Sequence, residues 1–76
     1  MNKARREALE RIKGQLDELK DELETLRDEE QEYFDNMPES LQYGDKGQRA
    51  EEAVSSLEEA ISGVEEAVSA IEAAQE

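Results

Sequence analysis

Residues 51–71 read EEAVSSL, EEAISGV and EEAVSAI, three tandem heptads of one pattern. Ala50, Leu57, Val64 and Ile71 recur at intervals of seven, and so do Val54, Ile61 and Val68. Ala53, Ala60, Ala67 and Ala74 make a third file. At 3.6 residues per turn these files fill a stripe about 100° wide, the apolar face of an amphipathic helix. Beside the alanines lie Ser56, Gly63 and Ala70. A flank without a large side chain lets another helix approach closely. Ala53, Ser56, Ala60, Gly63, Ala67 and Ala70 are therefore the expected oligomer interface.

Upstream, Leu9, Ile12, Leu16, Leu19, Leu23, Leu26, Tyr33 and Met37 follow steps of three and four. With Leu9 as position a, Leu16, Leu23, Glu30 and Met37 are also a. Ile12, Leu19, Leu26 and Tyr33 are then d, and Phe34 is e. An a/d stripe is the narrow seam of a coiled coil. Glu30 is the one acid in it, and it either snorkels to water or fixes register. Gly14 interrupts the helix at a cost of roughly 1 kcal/mol and is expected to mark a close approach of the second helix.

Between the periodic segments, Pro38 disfavours helix at the residue before it. Pro38 to Leu41 suits one helical turn with proline first. Asp45 is the expected N-cap of the second helix, with Gln48 completing a capping box. The boundaries expected are helix 1 over about 3–36, loop over about 37–45 and helix 2 over about 46–74. The fold class is all-α, an antiparallel helical hairpin of two long coiled-coil-like helices in a single domain, residues 1–76.

Charge supports the antiparallel arrangement. Residues 1–13 carry five basic and two acidic side chains, a net of +3, whereas residues 51–76 carry eight glutamates and no Lys or Arg. Folding back sets the basic start of the first helix beside Glu65, Glu66, Glu72 and Glu76. Two helices of 76 residues make a small core, and small chains without disulfide or metal often oligomerise. A homo-oligomer is expected, most simply an antiparallel four-helix bundle.

Composition narrows the function classes. The chain has 22 acidic and 9 basic residues, a net charge of -13, and neither His nor Cys. High charge with 36% hydrophobic residues resembles a disordered chain, but Glu, Ala, Leu, Lys, Arg and Gln are strong helix formers. Nucleophilic triads built on Cys or His are excluded, as are zinc sites of Cys and His. Paired carboxylates such as Glu51-Glu52 and Glu58-Glu59 read as a solvated face, because neighbours on a helix do not converge. No enzyme, metal or cofactor is expected. The negative surface disfavours duplex nucleic acid and favours a protein partner with a basic surface. No apolar run is long enough to span a membrane, and the basic N-terminus lacks the apolar stretch of a secretory signal, so the cytoplasm is the expected compartment.

Two clusters are candidate binding sites. Tyr33, Phe34, Asn36, Met37 and Tyr43 gather at the loop, as a plug for the end of the bundle or as a partner-binding tip. Lys3, Arg5 and Arg6 either neutralise the acidic second helix or contact a phosphate, which would suit an oligomeric sponge for a nucleotide signal.

The stretch Glu32-Tyr33-Phe34-Asp35-Asn36-Met37-Pro38-Glu39-Ser40-Leu41-Gln42, followed by Gly47-Gln48-Arg49-Ala50-Glu51-Glu52-Ala53, resembles a family of small phage and prophage helical-hairpin proteins. The similarity spans roughly residues 28–70. It implies a phage protein, acting in the cytoplasm of a bacterial host, rather than a particular activity. By analogy of size and charge, a small acidic phage protein suits an anti-defence inhibitor of a bacterial protein such as a CRISPR effector. The remaining alternative is a purely structural assembly unit.

Overall fold

The computed structural model describes all residues, Met1–Glu76. Helix α1 spans Lys3–Asp35, a single turn α2 spans Glu39–Gln42, and α3 spans Asp45–Ala74. The two long helices lie side by side and antiparallel in a rod whose Cα extents are 58 × 15 × 12 Å. No helix is long and apolar enough to cross a membrane.

Local chemistry sets the ends. The Asn2 side chain accepts from the Arg5 amide at 2.8 Å and caps α1. At the far end, Asn36 N–H donates to the Glu32 carbonyl and Met37 N–H to that of Phe34. Pro38 then stands in extended conformation, φ -57 and ψ 144, as the N-cap of α2 rather than its first helical residue. Its carbonyl accepts from Leu41 and Gln42. Gln42 Nε2 reaches back to the Phe34 carbonyl at 3.1 Å, tying the loop to α1.

The start of α3 departs from expectation by one residue. Gly44 is the N-cap and Asp45 is already helical, so the Asp45–Gln48 capping box does not form. Gln48 N–H is satisfied instead by the Gly44 carbonyl at 3.0 Å. Asp45 keeps a favourable place in the positive first turn. The cause lies at Gly47, where a Cβ would overlap the backbone of Gln42. The tight return of the chain fixes where α3 can begin.

Glycine 14 has the opposite environment: a Cβ there would meet nothing within 4 Å. It does not mark an approach of the helices. It sits at position f, about 120° around α1 from the a/e seam at 100° per residue. The close approach belongs to Gly47, seven residues before Val54 in the seam of α3.

The seam of α3 is as expected. Residues 47, 50, 54, 57, 61, 64, 68, 71 and 75 are buried or half-buried in steps of three and four. The core proper is small: Gly47, Ala50, Val54 and Ile61 are the only buried residues.

Helix α1 is rotated from the expected seam. Leu9, Lys13, Leu16, Lys20, Leu23, Arg27, Glu30, Phe34 and Met37 are half-buried. These are positions a and e, not a and d. The d file faces outward: Ile12 is 38%, Leu19 50%, Leu26 51% and Tyr33 52% exposed. One neighbouring helix covers one groove only, and the e residues fill it with apolar stems. Lys13, Lys20 and Arg27 lay methylenes along α3 and keep their charges toward water. Phe34, at the loop end of the same file, turns inward with them.

Candidate functional site

Register follows from the ion pair Lys13 Nζ–Glu72 Oε1 at 3.6 Å, the one salt bridge between α1 and α3. Residues whose numbers sum to 85 lie level, and Lys20 and Glu65 accordingly line one shallow groove. Of the expected acidic neighbours of the basic segment, Glu72 alone makes a pair. Glu66 projects from the outer side of α3, two residues past the seam residue Val64.

Handedness then sorts the two faces of the hairpin. Viewed down α1 from its N-terminus, successive residues turn clockwise on α1 and counterclockwise on antiparallel α3. The e file of α1 and the file of Glu51, Glu58, Glu65 and Glu72 come to one side, as the Lys13–Glu72 pair requires. The d file of α1 and the alanine file of α3 come to the other. One broad face is therefore charged, with Lys13, Lys20 and Arg27 beside glutamates. The opposite face is apolar, with Ile12, Leu19, Leu26 and Tyr33 beside Ala53, Ala60, Ala67 and Ala74. Ser56, Gly63 and Ala70, all exposed, extend it outward. The six residues expected at an oligomer interface thus lie on one side of α3, with Ala53 and Ala67 half-buried by α1 itself.

At the loop end, Tyr33, Asn36, Met37, Pro38, Leu41 and Lys46 line a cleft of about 350 Å³. Tyr43 stands next to this region, 78% exposed. Of the five residues expected at a partner-binding tip, Tyr33, Asn36 and Met37 line the cleft and Tyr43 projects beyond it. Phe34 belongs to the seam instead, half-buried with its carbonyl held by Gln42. Pro38 and Leu41, apolar neighbours of the aromatics in sequence, complete the cleft with Lys46. Lys46 alone was not singled out from sequence; its signal was position, since the first turn of α3 flanks the same end. Residues 28–45 carry seven acids and, apart from Arg27 just before them, no Lys or Arg, and Lys46 adds one cation at the cleft, so the tip is an apolar patch with a mainly acidic rim.

The basic cluster sits at the other end. Lys3 pairs with Glu7 at 4.0 Å along α1, and Arg5 and Arg6 are exposed without an ion-pair partner. Thirty residues of helix, about 45 Å at 1.5 Å per residue, separate Lys3 from Tyr33. The cations and the aromatics cannot meet on one ligand within one chain. No group of three or more acidic side chains is arranged to hold a metal ion. Neighbouring carboxylates on α3 point away from the seam into solvent, so no enclosed acid–base pair is formed. Compared with known proteins, the chain matches no family model, and no curated protein or solved structure gives a significant match.

Proposed function

We propose that the chain is a non-enzymatic, acidic helical-hairpin oligomer that works by protein binding. Its loop tip docks on a partner with a basic surface, in a phage-encoded role as an anti-defence inhibitor of a bacterial protein. The observation that carries this reading is the composition of the tip. Tyr33, Met37, Leu41 and Tyr43 offer exposed or half-exposed apolar surface, and residues 28–45 around them carry seven acids, with Lys46 the one cation lining the cleft. An apolar centre inside a charged rim is the anatomy of a protein interface. The acids would steer a basic partner and exclude acidic ones. The phage role rests on the sequence resemblance and on size and charge.

The nucleotide-sponge alternative is less well served. It would need Lys3, Arg5 and Arg6 of one copy beside the aromatics of another, head to tail. A structural assembly unit would need only the apolar face.

Pull-down with the immobilised chain tests the reading. From a bacterial lysate at low salt, one basic protein is expected, and its retention should weaken as salt rises. Tyr43→Ala should reduce retention of that protein by more than tenfold, as for an interface hot spot worth about 2 kcal/mol. Recovery of no partner, or full retention by the variant, would defeat the proposal.

A further inference from the structure

We infer that the apolar face is occupied by a second copy of this chain, packed with its two-fold axis parallel to the helices, so that each α1 lies over the partner's α3. This deepens the oligomeric part of the proposed function and is independent of the loop-tip partner.

Area is the first argument. The chain exposes 5626 Å². A folded monomer of 8.6 kDa exposes about 4,700 Å² by the scaling of compact proteins. The excess of about 900 Å² reflects the rod shape of a lone hairpin, and it is comparable to the roughly 800 Å² that each partner contributes to a standard interface. The surplus is not spread evenly. Four large apolar side chains, Ile12, Leu19, Leu26 and Tyr33, repeat every seven residues along one side of α1 and are each more than a third exposed. Such a contiguous stripe marks an interaction surface.

Size and charge choose the packing. Large side chains line this face on α1 and small ones line it on α3. A two-fold axis parallel to the helices brings each α1 over the partner's α3, large onto small. Neighbouring helices are antiparallel for this axis and for one perpendicular to the helices alike, so side-chain size and charge decide between them. An axis perpendicular to the helices would set α1 on α1, leucine on leucine. In the register that packs Leu19 on the partner's Leu26, that arrangement also brings Glu22 against the partner's Glu22 on the flank. In the favoured arrangement Glu22 and Glu29 instead meet the uncharged flank of Ser56, Gly63 and Ala70. None of the eight glutamates of residues 51–76 lies on this flank, because they occupy the outer and opposite sides of α3.

The consequence reaches the loop. A two-fold axis along the helices puts both tips at one end and both N-terminal basic segments at the other. The assembly then presents two apolar clefts side by side, and the partner's Ala53 comes level with Tyr33 at the margin of each cleft. A macromolecule with a repeated or two-fold epitope would meet both.

Light scattering at micromolar concentration should report twice 8.6 kDa. Leu19→Lys with Leu26→Lys should halve that mass, while Asp17→Lys, on the charged face, should leave it unchanged. A monomeric native chain, or a double-lysine variant still dimeric, would overturn the inference. Because the double variant could lose its fold along with its partner, cysteines provide a second test. The chain with Leu26→Cys and Ala60→Cys should oxidise to a covalent dimer, since the two positions point at each other across the interface, whereas within one hairpin they project side by side from the same face. Glu22→Cys alone should remain monomeric on denaturing gels. The reverse pattern would refute the packing of α1 over α3. A failed pull-down leaves these masses unchanged, and a monomeric mass leaves the loop-tip test intact.

Discussion

The two ends of the hairpin are built from the same heptads and are packed differently. All four buried residues, Gly47, Ala50, Val54 and Ile61, lie on the loop side of α3 or at its middle. Beyond Ile61 the same files continue as Val64, Val68 and Ile71, and none of these becomes buried. The side chains are no smaller there. What differs is the number of neighbours. At the loop end the segment from Pro38 to Gln42 folds against the start of α3 and adds a third layer at Gly47, whereas Ile61, about 21 Å farther along, is covered by α1 alone. At the free end α3 has only α1 beside it. Periodicity supplies an apolar stripe, but burial needs walls on more than one side. The half-buried free end is therefore where a second copy would contribute most to stability.

The sharpest way to break this contrast is at Gly47. Its missing side chain is what lets α3 pass the backbone of Gln42, and backbone cannot rotate away as a flexible side chain would. Gly47→Ala should destabilise the hairpin by about 2–3 kcal/mol, the range of an overpacked core, despite the helix propensity gained. Urea midpoints at fixed protein concentration measure it. A variant as stable as the native chain would mean that the loop end is not the tight end.

Gly14 gives the complementary result. It lies on the outer side of α1, clear of α3 and of the proposed second copy, with open space around its Cα. Gly14→Ala should stabilise by about 1 kcal/mol, a rise of roughly 4–8 °C in Tm for a domain of this size. Two identical substitutions would thus act in opposite directions. Destabilisation by Gly14→Ala would place an undetected neighbour against the free half of α1.

These glycines also show what the sequence could disclose. The α3 seam was legible because its heptads repeat almost without error. The place of Gly47 in it follows by extending the file of Val54 and Ile61 back by seven. Gly47 falls inside the expected second helix, but nothing in a helix-start sequence reveals which backbone crosses it. The rotation of α1 was hidden for another reason. Leucines mark positions a and d, yet the stems of Lys13, Lys20 and Arg27 are apolar enough to line a seam. Hydrophobic spacing counts them as charges. The loop tip was half legible: adjacency in sequence grouped Tyr33 with Phe34, but one residue turns a helical side chain by about 100°, placing the first outward and the second inward.

The smallest effect is expected at the one ion pair that joins the helices at the free end. Lys13 lies 3.6 Å from Glu72 and 4.0 Å from Glu10, so removing either glutamate leaves it another partner. Glu72→Gln also relieves repulsion in a chain of net charge -13, which offsets part of the loss. A double-mutant cycle of Lys13→Met and Glu72→Gln removes these contributions and isolates the pair. Methionine is chosen because it retains an apolar stem over α3 while deleting the charge. Coupling of about 0.3–0.5 kcal/mol is expected, as for partly exposed pairs. It should vanish in about 1 M salt, where the screening length falls to about 3 Å. Coupling well above 1 kcal/mol that survives the salt would show that charge, rather than packing, closes the free end. The difference between the two ends would then lie in the kind of interaction and not in the number of walls.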